Sequence, residues 1–410
     1  MQNLNNLINK YGAPDALIDH WDLSSSRYAI WGFDSLFTIN YEGYAFLNGI
    51  KLNINPLTAF QNVINQWKMD DNNISAIGYI SYDFKNILFP HIQFKKLKKN
   101  SPLMWFGKPK LIKQFKIEIS NNIDLASLQL SKDIIDLNSY KKNITKIKTH
   151  LMNGDTYQIN FTQPKIYTTN TDGINLYLQM RNKIKPHYGM FINTKKMQIL
   201  SFSPERFFNT HSECINTYPM KGTRPRSSDI NKDKILAKEL YQSKKDRAEH
   251  LMIVDLLRND LGKNCEYGSI NVKSLFDIET FANVHHLVST IEGKISKKSN
   301  IFNLINGCFP GGSITGAPKI RAMQIINELE PNARSIYCGS IGYISSNKKA
   351  DLNIAIRTMI AINKKIYFWG GGGIVYDSNA ESEYQETLDK IKPILDIFES
   401  NVLQFPKKLG

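Results

Sequence analysis

The amino-acid sequence predicts a large α+β fold with paired strands and separate long helices. Candidate strands, which include 198–202, 207–211, 352–362 and 365–369, come in hairpin-like pairs. Stretches with helical apolar spacing stand apart from these pairs, at 232–259, 316–329 and 379–400. Strands that alternated one for one with helices would instead predict a doubly wound parallel sheet. The pairing of strands therefore favours the α+β class over that alternative.

The composition is that of a globular protein with a sizeable core. The chain has 410 residues, of which 42% are hydrophobic and 11% aromatic. No apolar run reaches the length of a membrane span. Residues 1–14 are polar and lack the charged-then-apolar order of a secretory signal. We therefore expect a cytoplasmic protein with no membrane partner.

The positive net charge of the chain leaves three interpretations open. The 52 Lys and Arg residues exceed the 37 Asp and Glu residues, giving +15. Such an excess suits nucleic acid, an anionic substrate, or a simple compositional bias toward Lys, Asn and Ile. The lysines are dispersed, as at 95–99 and 297–298, and no basic motif interleaved with aromatic residues occurs. Nucleic acid is therefore not an expected partner.

The cysteines predict neither a zinc site nor a disulfide framework. The sequence scatters them without CxxC or Cys/His ligand spacing, at Cys214, Cys265, Cys308 and Cys338. We expect reduced thiols that are mostly buried.

Candidate chemistry is confined to the part of the chain after residue 138. Before that point the strand patterns lie at 28–31, 37–40, 76–82 and 115–119, with a helical stretch at 58–67. A helix is then predicted at 139–152, ended by Asn153-Gly154-Asp155, and 157–162 alternates like a strand. Later strand patterns include 339–345. We expect an N-terminal segment, 1–138, that contributes to the fold, and a functional region at 139–400.

The last predicted helix carries two carboxylates directly behind a run of glycines. Ser378 and Glu381 resemble a capping box, which would start the helix near 379 and put Glu383 and Glu386 on one face. The glycines at 370–373 follow a strand pattern, and consecutive glycines let backbone amides approach an anion. The pattern fits either a solvated helix start or a carboxylate ligand bridged to Mg²⁺, which prefers oxygen ligands. The glycines match neither a nucleotide-binding fingerprint nor a phosphate loop.

Two further groups of residues also have alternative interpretations. On the predicted helix, Glu249 with Asp246 and Asp255 could complete a metal site, although acidic helix residues are more often exposed. Glu205 and Lys221, which stand beside predicted strands, could form an acid and a nucleophile. That role requires burial to keep the carboxyl protonated and the amine partly neutral. A plain salt bridge is the commoner arrangement for these residue types.

A series of motifs resembles those of the chorismate-binding enzymes in order and spacing. The motifs are SFSPERFF, MKGTRPR, EHLMIVDLLRNDLG, ANVHHLVS, PGGSITGAPKIRAM, IYCGSIGY, IRTM and GGGIVYDSNAESEYQET. The resemblance covers about 157–394. The family includes large subunits of anthranilate and aminodeoxychorismate synthases, together with isochorismate and salicylate synthases. It implies one large domain of two packed, mainly antiparallel β-sheets surrounded by helices, with the active site between the sheets.

The resemblance implies roles for the candidate residues. Glu249 and Glu386 match the family's Mg²⁺ ligands, and Glu383 matches a carboxylate that supports them through water. His286 matches a catalytic position beside the reacting ring. Substrate contacts are implied for Gly222, Thr223, Ser313, Tyr337, Arg357, Gly371, Gly372 and Gly373. Of these, Tyr337 and Arg357 match residues that bind the enolpyruvyl carboxylate.

Two positions distinguish the reactions of the family. Isochorismate and salicylate synthases place a water-activating lysine where this chain has Gln158, which disfavours water as the nucleophile. Anthranilate synthases usually have Ala where this chain has Lys221, and Lys is characteristic of the members that aminate C4 of chorismate. The resemblance therefore implies that Lys221 attacks C2 while Glu205 protonates the leaving C4 hydroxyl. The expected product is 4-amino-4-deoxychorismate, a precursor of p-aminobenzoate and folate.

The resemblance also implies a source of ammonia. A separate glutamine amidotransferase subunit is expected, because Cys308 and Cys338 fall inside the family motifs and no cysteine stands in a nucleophile-elbow context. Two alternatives stay open. An anthranilate synthase would release pyruvate and be indifferent to Lys221, and a binding protein would show no turnover. Met220 stands where Ile is more usual, and 23–28 resembles a segment that lines a tryptophan pocket in related enzymes, from which no regulation is assigned.

Overall fold

The computed structural model describes residues 2–21, 26–67, 74–94, 101–116, 128–133, 136–281, 284–345 and 349–399. Predictions at 23–25, 95–99, 117–119 and 400 lie outside the described residues. The helices are α1 (Leu4–Tyr11), α2 (Pro56–Gln66), α3 (Lys85–Leu88), α4 (Leu137–Met152), α5 (Gly173–Ile184), α6 (Ile230–Gln242), α7 (Lys244–Gly262), α8 (Ile301–Cys308), α9 (Lys319–Leu329) and α10 (Ala380–Glu399). None of these described helices combines the length and apolar character needed to cross a membrane.

The strands are antiparallel apart from one short parallel pair among those described. They are β1 (Gln2–Asn3), β2 (Ala16–Asp19), β3 (Arg27–Ile39), β4 (Ala45–Leu47), β5 (Ile50–Leu52), β6 (Ile74–Ile80), β7 (Met104–Lys116), β8 (Leu128–Asp133), β9 (Gln158–Thr169), β10 (Tyr188–Asn193), β11 (Gln198–Ser203), β12 (Arg206–His211), β13 (Cys214–Thr217), β14 (Met220–Pro225), β15 (Asn271–Thr280), β16 (Val284–Lys294), β17 (Gly316–Ala317), β18 (Ser340–Ser345), β19 (Ala350–Ile354), β20 (Thr358–Ile362) and β21 (Lys365–Ile374). The parallel pair is β1 with β7.

The strand pairings form two layers that are joined by one long antiparallel pair of strands. In the first layer the order is β8–β9–β21–β20–β11–β10–β2–β3, and in the second it is β7–β6–β18–β19–β12–β13–β16, with β14 and β15 on β16. The long strands β3 and β7 pair along their whole length and connect the layers. The α+β class with antiparallel sheets is confirmed, and the boundary at 138 stays a prediction because strands on both sides of it pair in both layers.

Alternation along the first-layer strands separates two buried faces. Alternate side chains of a strand point to opposite faces, and one set packs with second-layer residues in a shared core: Ile18, Ile192, Ile199 and Ile360 with Ile77, Phe208, Ile341 and Leu352. The intervening residues pack under helices α1, α5 and α10 in a separate cluster: Leu17, Phe191, Leu200 and Met359. Helices α4 and α9 cover β9 in the same way. The core is therefore sandwiched between the layers, and helices cover the outside.

Two tight crossovers between the layers lie side by side. β11 belongs to the first layer and β12 to the second, and only Pro204 and Glu205 join them. β19 returns to β20 through residues 355–357, so the single predicted strand 352–362 is wrong. The Ile354 amide donates to the Glu205 carbonyl at 3.0 Å, and the Phe202 amide donates to the Arg357 carbonyl at 3.0 Å. The two crossovers are therefore hydrogen-bonded to each other, which places Glu205 and Arg357 on adjacent segments of the chain.

Three helix boundaries differ from the predictions. The stretch 232–259 is two helices, because the Ser243 hydroxyl accepts from the Asp246 amide at 3.2 Å and starts α7. The stretch 316–329 begins as β17, and its helix α9 starts only at Lys319, after Pro318. The predicted capping box is wrong: Asn379, not Ser378, accepts from a helix amide, that of Ser382 at 3.1 Å.

A buried ion pair in the segment after α9 is hydrogen-bonded both to strand β9 and to the loop before α9. Arg334 is 1% exposed and donates to both oxygens of Glu330, at 2.9 and 2.7 Å. It also donates to the backbone carbonyls of Ile314 and Asn160, at 2.7 and 2.6 Å. Glu330 in turn accepts from the Thr162 amide at 2.8 Å. Removing either partner would leave the other charge buried without compensation.

We expect Arg334→Met to lower the free energy of unfolding by about 3–5 kcal/mol, measured by urea denaturation, because Glu330 would keep an uncompensated buried charge. The matched control is Arg321→Met. Arg321 pairs with Asp155 at 3.2 Å but its side chain is 41% exposed, so the loss there should be below about 1 kcal/mol. Equal losses in the two variants would contradict the assigned role of the Arg334–Glu330 pair.

Candidate active site

The glycine run predicted as an anion-binding loop is instead the end of strand β21. Gly370–Gly373 stay in the ladder with β9, where Gly373 pairs with Asn160 and Gly371 with Thr162. A Cβ on Gly371 would lie 2.5 Å from the Phe161 carbonyl oxygen, which no side chain could tolerate. A Cβ on Gly373 would lie 2.5 Å from Gln158 Nε2 and 3.1 Å from Lys221 Nζ. The glycines therefore leave both faces of the strand bare: Gly373 faces Gln158 and Lys221, and Gly372 faces polar side chains of α10.

A bulge in β14 presents Lys221 to the Gly373 side of this strand. The register with β16 shifts between Lys221 and Thr223, and Gly222 adopts φ +67 at the extra position. A Cβ on Gly222 would lie 2.7 Å from Leu240, so glycine is required both for the backbone conformation and for the packing of α6. Lys221 Nζ lies 3.8 Å from Glu249 Oε2, and its side chain is 17% exposed. Burial lowers the pKa of the Lys221 ammonium group, while Glu249 opposes this.

Glu205 is buried at the first crossover with one hydroxyl partner. Ser313, in the short 3-10 turn Gly312–Ile314, donates to Glu205 Oε1 at 2.6 Å. Burial raises the pKa of the Glu205 carboxyl to about 7, although the Ser313 hydrogen bond and the charge of Lys221 both act to lower it. A carboxyl with this pKa keeps its proton up to neutral pH. Glu205 therefore has the protonation state that a general acid needs.

Three glutamates approach the glycine strand from two helices, two of them at Gly372 and one on the side of Lys221. Glu383 Oε2 and Glu386 Oε1 of α10 lie 3.4 and 3.7 Å from the point where a Gly372 Cβ would be. The Ser378 hydroxyl donates to Glu383 Oε1 at 2.7 Å, and burial raises the pKa of Glu383. Glu249 approaches from α7 at Lys221. Within the described part of the chain, no three His, Cys, Asp or Glu side chains are close enough to share a metal ion.

The donor chemistry of these glutamates nevertheless fits Mg²⁺. The ion is commonly held by one or two protein carboxylates and completes its coordination with water and substrate oxygens, so a closed protein cluster is not required. Lys390 supplies positive charge at the same place: its Nζ lies 2.7 Å from Glu386 Oε1 and donates to the Gly371 carbonyl at 3.0 Å. Lys390 was not predicted from sequence, although its position one turn after Glu386 on the same helix face points to the pairing.

A cavity of about 230 Å³ opens beside the crossovers. Arg357 and His286 line it together with aromatic and basic residues that include Trp21, Phe281 and Lys185, and its described lining holds no carboxylate. Desolvation lowers the pKa of the Arg357 guanidinium, for which the described residues provide no ion-pair partner. A desolvated guanidinium in a carboxylate-free cavity favours binding of an anionic ligand.

The protonation state of His286 follows from its hydrogen bonds. His286 Nδ1 lies 3.0 Å from the Gly222 carbonyl oxygen, so Nδ1 carries the proton and donates. The Thr223 hydroxyl lies 3.1 Å from the same nitrogen. Burial lowers the pKa of His286 to about 4, which keeps the ring neutral. Nε2 is buried without a partner and presents a free lone pair.

Two buried amide groups of β9 are also unpartnered. Gln158 is 0% exposed and neither its Oε1 nor its Nε2 has a hydrogen-bond partner. Asn160, on the same strand face, donates from Nδ2 to the Ser313 carbonyl at 3.2 Å, while its Oδ1 is unpartnered. Gln158 was predicted from the sequence as a site residue, whereas Asn160 was not. The alternation of β9, which puts both residues on one face, was the available signal.

The predicted site residues do not all meet at one point. Gln158 and Lys221 both lie beside the Cβ position of Gly373, and Glu205 accepts a hydrogen bond from Ser313. Tyr337 stacks on Trp369, the residue before the glycine run, with ring centroids 5.7 Å apart and planes at 10°. Burial holds the pKa of Tyr337 well above its usual value.

His250, which was also not predicted from the sequence, is fully buried beside Glu249 with its Nε2 2.6 Å from Ser289 Oγ. No sequence pattern distinguished it from a core histidine.

The bare strand, the largely buried lysine and the carboxylate-free cavity are features suited to an enzyme that binds a small acidic ligand. Residues 116–396 match the family model for chorismate binding enzymes, and the chain belongs to that family. The match confirms the family expected from the motifs. It includes the whole of the described site from β9 to α10.

The chain is similar to two kinds of family member. It is 46% identical to aminodeoxychorismate synthase component 1 of Escherichia coli (strain K12) over 256 residues, 62% of this chain and 56% of that protein. It is 35% identical to anthranilate synthase component 1 of Saccharolobus solfataricus over 334 residues, 78% of this chain and 79% of that protein. The matched region thus spans little more than half the length of the aminodeoxychorismate synthase relative.

A solved structure confirms the fold. Anthranilate synthase component I from Streptococcus pneumoniae TIGR4 superposes with a TM-score of 0.82 at 27% sequence identity, covering 91% of this chain and 93% of that one. The superposition includes the N-terminal segment, which the family model does not reach. The two-layer architecture implied by the motifs is therefore that of the family.

Proposed function

We propose that this chain aminates chorismate at C4, as an aminodeoxychorismate synthase component 1. The observation that supports this most directly is the desolvated lysine Lys221, which the bulge at Gly222 holds 3.1 Å from the Cβ position of Gly373. The pKa of Lys221 is lowered by burial, and an acid of raised pKa, Glu205, belongs to the same site. A nucleophile and an acid with these opposite shifts suit a displacement that passes through a covalent adduct.

In the first step, neutral Lys221 Nζ attacks C2 of the chorismate ring. The two ring double bonds shift, and the C4–oxygen bond breaks. Glu205 gives its proton to the departing hydroxyl, which leaves as water. The products of this step are an alkylammonium adduct at C2, a Glu205 carboxylate and one water molecule.

In the second step, ammonia attacks C4 with its lone pair. The double bonds shift back, the C2–nitrogen bond breaks, and Lys221 is released as a neutral amine. The new C4 ammonium group loses one proton, and Glu205 regains one. The sum is chorismate plus ammonia giving 4-amino-4-deoxychorismate plus water, with the enolpyruvyl group retained.

The remaining predicted residues hold the substrate in this proposal. Arg357 and Tyr337 take the enolpyruvyl carboxylate, the first through two guanidinium hydrogen bonds. The backbone at Gly222, Thr223, Gly371, Gly372 and Gly373 forms the cradle of the ring. Neutral His286 directs Nε2 at the ring as an acceptor. Glu249, Glu386 and Glu383 would hold Mg²⁺, which when bound would neutralise the charge of the ring carboxylate.

The choice of ammonia over water is supported by the residue types around Lys221. Water becomes a useful nucleophile only when a base removes its proton, whereas ammonia attacks without one. Gln158 beside Lys221 is an amide and cannot act as a base. We therefore propose a partner glutamine amidotransferase as the source of ammonia, consistent with the "component 1" of the relatives' names.

An anthranilate synthase is the second candidate, favoured by the longer alignment with the Saccharolobus relative. The deciding experiment supplies the purified chain with chorismate, Mg²⁺ and an ammonium salt at mildly alkaline pH. Mass spectrometry then identifies products with and without an added aminodeoxychorismate lyase. The proposal requires p-aminobenzoate only when the lyase is present. Anthranilate and pyruvate formed without the lyase would assign the chain to the second function.

We expect chelation of divalent cations to abolish turnover and Mg²⁺ to restore it. Two carboxylate oxygens at Gly372 and the carboxylate of Glu249 would otherwise repel the ring carboxylate of the substrate. Activity is measured after dialysis against EDTA and again after graded addition of MgCl₂. Glu386→Gln should raise the Mg²⁺ concentration needed for half-maximal activity. Full activity in EDTA would remove the metal from the proposal.

A further inference from the structure

Asn160 lies within the site but has no role in the two proposed chemical steps. Its backbone pairs with Gly373, over which Lys221 Nζ lies. Its Nδ2 donates to the Ser313 carbonyl at 3.2 Å, and the Ser313 hydroxyl donates to Glu205 at 2.6 Å. Asn160 is therefore linked through its backbone to Gly373 beside the nucleophile Lys221, and through its side chain and Ser313 to the acid Glu205.

The orientation of the Asn160 amide is determined by its neighbour. The Ser313 carbonyl can only accept, so the NH₂ group of Asn160 must face it and Oδ1 must face away. Oδ1 is buried and has no partner. The backbone carbonyl of Asn160 is already used by Arg334, and its amide donates to the Thr315 carbonyl at 2.9 Å. Asn160 Oδ1 is thus a fixed, desolvated acceptor.

Unpaired acceptors of this kind are unfavourable unless water or a ligand satisfies them. An unsatisfied buried polar atom destabilises a protein, because it has lost its hydrogen bonds to water. Asn160 Oδ1 and Gln158 Oε1 share one face of β9 and are both in this state. Two acceptors on one strand face are suited to a very small ligand that carries several N–H or O–H donors.

We propose that Asn160 Oδ1, together with the Gln158 amide, forms the binding subsite for ammonia. This inference rests on the proposed function. Ammonia carries three donors and one lone pair, so hydrogen bonds to amide oxygens occupy its hydrogens and leave the lone pair free for C4. Chorismate cannot fill this role in the second step, because its single hydroxyl donor has left by then. A carboxamide also holds ammonia without taking its proton, which keeps the nucleophile intact.

The subsite acts only in the second step, after the covalent adduct has formed. This order separates binding of ammonia from the chemistry at Lys221 and Glu205. Loss of the Oδ1 acceptor should therefore weaken ammonia binding without changing how fast Lys221 reacts with chorismate. Removal of one hydrogen bond of about 1.4 kcal/mol corresponds to a tenfold change in affinity.

The test compares wild type, Asn160→Ala and Asn209→Ala in steady-state kinetics with ammonium chloride as the varied nucleophile, expressed as free ammonia. Asn209 on β12 is the matched control, because it also has a buried Oδ1 without a partner but lies outside the site. We expect Asn160→Ala to raise KM for ammonia about tenfold, with kcat at saturating ammonia near that of wild type. Asn209→Ala should leave both constants unchanged.

A second measurement monitors the first step alone. The three proteins are mixed with chorismate and Mg²⁺ without ammonium, and intact-protein mass spectrometry follows an adduct with the mass of chorismate less one water. We expect Asn160→Ala to form it at the wild-type rate. An unchanged KM for ammonia would overturn the proposal, as would loss of the adduct, since Asn160 would then act through Ser313 and Glu205. Absence of both adduct and amination in wild type would instead reject the proposed function.

Discussion

Lys221→Ala is expected to lower the rate of 4-amino-4-deoxychorismate formation on the order of 10⁴-fold, the scale seen when a catalytic nucleophile is removed. The physical reason is that the substitution deletes the attacking atom and leaves Glu249 without its nearby cation, 3.8 Å away. The measurement is a lyase-coupled assay of p-aminobenzoate at saturating chorismate and ammonium.

The control for this variant is Lys273→Ala. Lys273 also pairs with a glutamate, Glu292, at 2.9 Å, but its side chain is 54% exposed on β15. That variant should retain wild-type activity. The variant Lys221→Ala should also lose the adduct that intact-protein mass spectrometry detects without ammonium. If it retained within tenfold of wild-type turnover, covalent catalysis by Lys221 would have to be abandoned.

Glu205→Gln is expected to lower kcat by about 10² to 10⁴-fold, the usual contribution of a general acid. Glutamine keeps the size of the side chain and can still accept from the Ser313 hydroxyl, but it has no acidic proton for the departing hydroxyl. Glu266→Gln serves as control, because Glu266 forms only a half-exposed pair with Lys294 at 3.1 Å. Equal activity in Glu205→Gln and wild type would exclude Glu205 as the acid.

The same variant should change the pH dependence of the rate. Glu205 must be protonated to act, and its pKa is raised to about 7 by burial, so wild-type activity should fall as pH rises above about 7. Lys221 must be neutral, and although burial lowers its pKa, its protonation should lower activity as pH falls. The wild-type profile of kcat/KM should therefore be bell-shaped. In Glu205→Gln the alkaline fall should disappear, and a profile that kept this fall would assign it to another group.

The class of fold and the enzyme family could be predicted from the sequence. Period-two alternation, as in 198–202 and 207–211, depends only on neighbouring residues and gave correct strands β11 and β12. The motifs around Glu205, Lys221 and Glu386 are likewise local. Their resemblance to one enzyme family was confirmed by the family match, because that match depends on residue order alone.

The state of each site residue was decided only by the tertiary structure. From the sequence alone, Glu205 and Lys221 could form either a salt bridge or an acid and nucleophile pair. In the structure Lys221 pairs with Glu249, and Glu205 accepts a hydrogen bond from Ser313. Burial raises the pKa of Glu205 and lowers that of Lys221. It also broke the predicted strand 352–362 and kept the glycines at 370–373 within the sheet. Burial and contacts between distant segments set these features, because desolvation and charge pairing depend on which surfaces the folded chain brings together.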